Sequence, residues 1–174
     1  MSRIDHRHLL AVAAAAALAA GLALASPAHA TPPTQEGPFT IPYAFTPDCS
    51  PFGFNFENQV VGEEEVSVDT FYDSQGEPTR VVVHDSFVET DTNSATGKTL
   101  PFSGNRVETF DLIAGTRTVV GRSAVMTEPG HGIVIHDTGR VVFDAPFHVS
   151  FEAGPHDVLN GDVDQLACSA LAAP

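Results

Sequence analysis

The residues of this chain that could do chemistry are its histidines and a few acids set into apolar runs. Five histidines follow residue 30: His84, His131, His136, His148 and His156. Along a strand, side chains alternate between faces, so the members of one site need even spacing. His131 and His136 differ by five and flank Gly132, which makes no ready ligand pair. His148 sits between Phe147 and Val149 and should face solvent, and His156 falls in the loop sequence Gly154-Pro155-His156-Asp157. A zinc site from His84, His136 and an acid would require tertiary folding to bring them together. No metal and no cofactor is therefore expected.

Two acids ask a sharper question. In the run 132–143, Ile133, Ile135, Asp137, Gly139, Val141 and Phe143 share one parity, and Val134, His136, Thr138, Arg140 and Val142 the other. An unbroken strand points Asp137 inward among Ile, Val and Phe. A buried carboxylate must find a partner or take up a proton. Asp85 stands in the same position in the run 80–90, where it shares a face with Val81, Val83 and Phe87 while His84 lies on the other. Two inward acids could line a polar pocket for a cation or for ligand hydroxyls. The expected ligand-lining set is Asp137, Asp85, His84, Phe87 and Ile135. Against it, Gly139 could mark a bulge that turns Asp137 outward, or Arg106, Arg117 or Arg122 could pair with it.

Other catalytic signatures are missing. The chain has no GxSxG, no HExxH, no phosphate-binding P-loop and no DxDxDG calcium loop. Ala95-Thr96-Gly97-Lys98 lacks the first glycine of a phosphate loop and stands in a β-turn context.

The elements that must position these residues are strands. Residues 31–38 are Pro-rich and read as a flexible lead; 39–45 read as a short edge strand, because Pro42 disfavours a central position. Phe52, Phe54 and Phe56 alternate with Gly53, Asn55 and Glu57, a half-buried strand pattern. A turn is expected at 62–64, a strand over 65–72, a turn at 73–78 and a long strand over 80–90. A loop follows at 92–97, a short strand over 98–102, a turn at 103–105 and a strand over 106–113. The stretch 115–143 then reads as the longest hairpin, with the breaker cluster 128–132 at its tip. After a break at Ala145-Pro146, residues 147–151 form a strand with Phe147, Val149 and Phe151 inward. Near the end, Asp162 with Gln165 three residues on has capping-box spacing, and Val163, Leu166, Ala167, Ala170 and Leu171 form an apolar helical stripe. About eight short strands without βα alternation predict an all-β domain over 39–174. An antiparallel small barrel with a short C-terminal helix is favoured, since closure removes sheet edges, and a β-sandwich is the alternative.

The first thirty residues read as an export signal. Arg3 and Arg7 precede an Ala-rich apolar run, and Ala28-His29-Ala30 fits the small-x-small cleavage rule. The product is expected to be secreted, cleaved near Ala30 and free of the membrane. Without residues 1–30 the chain carries 6 Lys and Arg against 21 Asp and Glu, a net −15. Such a surface repels phosphate backbones, so nucleic acid is excluded as a partner. Cys49 and Cys168 are the two cysteines, and in an exported chain they should form a disulfide. A bridge closing about 120 residues is worth roughly 4–5 kcal/mol in the chain-entropy model.

The Cys49 segment with its Phe-x-Phe run, the loop 93–98 (NSATGK), the run 132–142 (GIVIHDTGRVV) and the ending Gly154-Pro155-His156-Asp157, Gly161-Asp162 and Cys168 together resemble a group of small secreted proteins of actinobacteria. The likeness covers most of the chain after residue 30. It implies export and a β-rich domain with one disulfide, and no activity. At the level of fold alone the chain is similar to allene oxide cyclase and dirigent-type barrels, which does not transfer function.

Three functions remain. The first is binding of a small, partly apolar molecule inside the barrel, or service as an extracellular interaction module. The second is cyclase- or isomerase-type catalysis by an interior carboxylate with His136 or His84 nearby. The third is a purely structural secreted domain, as a monomer or small homo-oligomer. Binding or interaction ranks ahead of catalysis.

Overall fold

The computed structural model describes residues 31–145 and 148–173. Seven antiparallel strands form one sheet in which every spatial neighbour is also the next strand in the chain. They are β1 (Thr34–Phe45), β2 (Asn58–Tyr72), β3 (Pro78–Asn93), β4 (Thr99–Asp111), β5 (Thr116–Glu128), β6 (Gly132–Ala145) and β7 (His148–Ala153). A single helical turn, α1 (Asp157–Asn160), and the helix α2 (Val163–Ala172) follow. The all-β class and the C-terminal helix are as expected from the sequence. Closure is not shown: among the described residues no ladder joins β1 to β7, and all seven strands belong to one sheet rather than two. The expected signal, 1–30, lies outside the described residues. No helix among the described residues is long and apolar enough to cross a membrane.

Strand count and boundaries differ from the sequence reading for local reasons. Residues 62–64 and 103–105 are not turns. Gly62 and Gly104 lie inside the continuous strands β2 and β4, so four expected segments become two. The Phe52–Phe56 alternation is not a strand either. Ser50–Phe52 is one turn of 3-10 helix, and the backbone closes on Cys49, whose carbonyl accepts from Phe52 N (3.1 Å) and Phe54 N (3.2 Å) while its N–H donates to Phe56 O (3.1 Å). The expected lead is shorter, because β1 already pairs with β2 at Thr34↔Thr70. On β7, Val142 faces Phe151 but Phe143 faces Val149, so an extra residue bulges between them. The bulge flips Phe151 to the opposite face, where it is exposed instead of inward. Phe147 lies outside the described residues.

One face of the sheet is inner because α2 lies on it. Leu100 and Phe102 of β4, Ala124 and Met126 of β5, Ile135 of β6, and Ala167 and Leu171 of α2 form the core. Leu100, Met126, Ile135 and Leu171 are fully buried, each contributing about 1.5–3 kcal/mol. Helix α2 touches β2, β3 and β6 at once, which requires the sheet to curl around it. Asp162 caps α2 as its spacing predicts, accepting from Asp164 N (3.0 Å) and Gln165 N (3.2 Å). The disulfide Cys49–Cys168, with Cα atoms 5.7 Å apart, ties α2 to the segment that leads into β2.

Candidate ligand groove

Asp137 does point inward. It is 4% exposed, and β6 runs through it without a break. The bulge beside it lies across the ladder in β5, where Ser123 is the extra residue between Arg122↔Thr138 and Ala124↔Asp137, and a second bulge at Val134 of β6 turns Ile133 away from the inward set, leaving it about half exposed. Gly139 serves a different need. With φ of 136°, it lies where a Cβ would sit 2.0 Å from Ala153 O, so the end of β7 passes too close for any side chain. Asp137 is engaged by the chain itself. Its carboxylate accepts from Val158 N and Leu159 N, both at 3.1 Å, and from His156 Nδ1 at 3.2 Å. Asp157 answers in the other direction by accepting from His136 N at 2.7 Å. Two neighbouring strand residues thus clasp the α1 turn. The donors that satisfy Asp137 are backbone amides and a buried histidine, not the arginines considered from sequence.

The remaining expected site residues do not converge with it. Ile135 is fully buried in the core beneath α2. His84 is exposed on the outer face, 3.3 Å from Asp69. Asp85 is buried against Arg106 Nη2 at 2.5 Å, and Arg106 in turn approaches Glu108, which takes two contacts from Arg117 at 2.8 and 2.9 Å. His84 and His136 stay apart on β3 and β6. Among the described residues no group of three His, Cys, Asp or Glu side chains is placed to hold a metal.

The loop 93–98 has a structural task. Asn93 Oδ1 accepts from Ala95 N (2.9 Å) and Thr96 N (3.1 Å), and its Nδ2 donates to Leu171 O (3.2 Å). Lys98 Nζ donates to Ala170 O (3.0 Å), Ala173 O (2.9 Å) and the Glu128 carboxylate. Its charge meets the negative end of α2. The Lys98 hydrogen bond also holds the Glu128 carboxyl below the usual carboxylate range.

Phe87, the fifth expected site residue, does line an opening. Ile41, Tyr43 and Phe45 of β1, Glu64 of β2, Phe87 and Glu89 of β3 and Phe102 of β4 surround a groove of about 420 Å³ on the inner face, beside the helix-covered core. That size suits a small molecule. Two glycines make it. Tyr43, Gly62 and Glu89 stand opposite one another across three strands. A Cβ on Gly62 would lie 2.5 Å from Glu89 Cβ and 2.9 Å from Tyr43 Cζ. With only hydrogen there, the Tyr43 ring crosses β2 and its hydroxyl donates to Glu89 Oε2 at 2.5 Å. Gly104 leaves the same space for the Phe87 ring, which meets Phe102 edge-on at 5.5 Å.

The electrostatics of the groove are one-sided. Burial pushes the Glu89 carboxyl up to about 7, the nearby Asp91 adding to the rise and the Tyr43 hydrogen bond opposing it. Burial, then the hydrogen bond to Glu89, pushes the Tyr43 phenol up. Glu64 is raised by burial and by the charge of Asp85 beside it. Asp91 is raised by burial despite the 2.6 Å hydrogen bond from Asn58 Nδ2. Meanwhile Phe39, Ile41 and Phe45 stay about half exposed on β1, with no part of the described chain over them.

A second opening of about 400 Å³ lies at the other end of the sheet, lined by Phe110, Leu112, Arg117 and Phe143 among others. Its charged groups are already engaged. Asp111 Oδ1 accepts from Ile113 N and Ala114 N, and Arg117 holds Glu108. The β1–β4 groove is the better candidate because its carboxyls are short of donors.

The sequence reading missed Tyr43, Glu64 and Glu89. The signal was available in the alternation Ile41, Tyr43, Phe45 and in glycines inside otherwise β-type runs, a mark of close approach as well as of turns. Compared with known proteins, the chain matches no protein-family model, no curated protein and no solved structure.

Proposed function

We propose that this protein binds a small, partly apolar molecule in the groove between β1 and β4. The observation that carries the reading is an open aromatic cleft with a phenol–carboxyl pair along it, beside the part of the inner face that α2 covers. A half-exposed row of Phe39, Ile41 and Phe45 is costly to leave in water unless something occupies it. We take the curled sheet, with α2 against its inner face, as a barrel-type scaffold of the kind the likeness to allene oxide cyclase and dirigent-type barrels implies. Secretion belongs to the same proposal; the signal-like residues 1–30 and the disulfide support it.

The test uses the neutral apolar dye N-phenylnaphthylamine. Binding should raise and blue-shift its fluorescence, with a dissociation constant on the order of micromolar, and Ile41→Asp should weaken binding about ten-fold or more. No fluorescence change, or equal binding by the variant, would sink the reading. A second reading, acid–base catalysis of an isomerisation, is favoured by one observation: Glu89 is pushed up to about 7 with Tyr43 in hydrogen-bond contact. It predicts turnover that Glu89→Gln abolishes.

A further inference from the structure

We infer that the occupant of the groove is an apolar amine, its ammonium held by Glu89 and Glu64 and its hydrocarbon body lying along Ile41, Phe45, Phe87 and Phe102. The inference rests on the groove being the binding site and adds the chemistry of the ligand.

The polar atoms facing the groove decide the class. Tyr43 has one hydroxyl hydrogen, and Glu89 takes it. That leaves the phenol oxygen lone pairs, the rest of the Glu89 carboxyl beside Asp91 and the Glu64 carboxyl beside Asp85, all of them acceptors when the acids are ionised. None of the residues around the groove is a cation. Arg106, the cation acting on Glu64, stands 2.5 Å from Asp85 and approaches Glu108. A ligand must therefore bring the donors. A carboxylate or phosphate would bring like charge instead, against two acids and a chain of net charge −14.

An ammonium brings three donors and a charge, and the walls suit it. The faces of Tyr43, Phe45, Phe87 and Phe102 attract a cation as well as a hydrocarbon chain. The raised carboxyls point the same way. Glu89 faces Tyr43 of β1 across Gly62 and Phe102 of β4, with Asp91 beside it on its own strand, and Glu64 of β2 lines the same groove. A cation placed among them favours the ionised form that burial now disfavours. A neutral alcohol would satisfy one acceptor and leave the charge problem as it was.

Three probes of one skeleton separate the possibilities: phenylbutylamine, phenylbutanol and phenylbutyrate, each titrated at about 0.15 M salt, where long-range attraction is screened. The amine should bind about ten-fold or more tighter than the alcohol, and the carboxylate most weakly. Glu89→Gln should bring the amine-to-alcohol ratio toward one, and Glu64→Gln should lower it in part. Glu65→Gln, on the outer face, removes the same charge away from the groove and should leave the ratio as in the parent. Equal binding of amine and alcohol, tighter binding of the carboxylate, no binding of any of the three, or a ratio untouched by Glu89→Gln would overturn the inference. If N-phenylnaphthylamine still binds in those cases, the groove remains a binding site of another specificity. If the dye fails as well, both readings fall together.

Discussion

The inner face of this sheet buries carboxylates in two regions, and the two treat them in opposite ways. Under the helices, Asp137 accepts from two backbone amides and a histidine, and Glu128 takes the Lys98 ammonium that also caps α2. In the open groove Glu89 receives one phenol hydrogen, and Glu64 sits beside another acid. Glu128 is held below the usual carboxylate range, whereas Glu89 and Glu64 are pushed above it. Burial alone does not mark a functional acid. The supply of donors does: a saturated carboxylate is a fastening, while an under-supplied one on an open apolar surface has capacity for an incoming group.

The strongest way to break the helix side is at its covalent tie. Replacing Cys49 and Cys168 with Ala opens a loop of 119 residues, and urea denaturation should show a loss of roughly 4–5 kcal/mol. Next is Asp137→Ala, which strands His156 Nδ1 and two amides. Breaking such a buried network should cost about 3 kcal/mol by the same measurement, with probe binding in the groove retained. Lys98→Met leaves Glu128 without its cation and two helix carbonyls without a donor, and should lower the urea midpoint by less than Asp137→Ala does.

The groove side should respond to pH with the opposite sign. Glu89 is raised from its ordinary 4.5 to about 7, so the folded chain holds a proton that the unfolded chain has released in that window. Stability attributable to Glu89 therefore falls as pH rises from about 4.5 to about 7 and stays lower above it, and Glu89→Gln should flatten this slope in melts across pH. Glu128 behaves in the reverse sense, adding stability above its ordinary value and losing it on acidification. The smallest effect is expected from Tyr43→Phe. Losing one hydrogen bond should cost about 1 kcal/mol and move the Glu89 carboxyl further up, visible as its carboxyl-carbon shift in an NMR titration.

How much of this was legible in the sequence depended on how local the cause was. The hairpin of β5 and β6, the inward Asp137, the Asp162 cap and the pairing of the cysteines each follow from alternation, a cap residue or simple chemistry within a short window. The groove does not. It exists because Gly62 and Gly104 lie under rings from neighbouring strands, and a glycine under a ring reads locally like a glycine in a turn. Likewise the Phe52–Phe56 alternation was a sound strand pattern, overridden by the backbone closing on a cysteine whose partner lies 119 residues away. The role of Lys98 was hidden for the same reason, since Glu128 lies 30 residues downstream and its two carbonyl acceptors more than seventy.

The strand order β1 to β7 has a consequence for how the chain is made. Each strand pairs with the one just before it, so a chain emerging from its N-terminal side can zip the sheet together strand by strand. The helix that covers the core follows all seven strands in the chain. Until it arrives, Leu100, Met126 and Ile135 have no lid, and Cys49 waits for a partner 119 residues further on. A nascent chain truncated before residue 163 should thus be a formed but uncovered sheet, the stage at which this protein is most exposed to aggregation and to the wrong thiol.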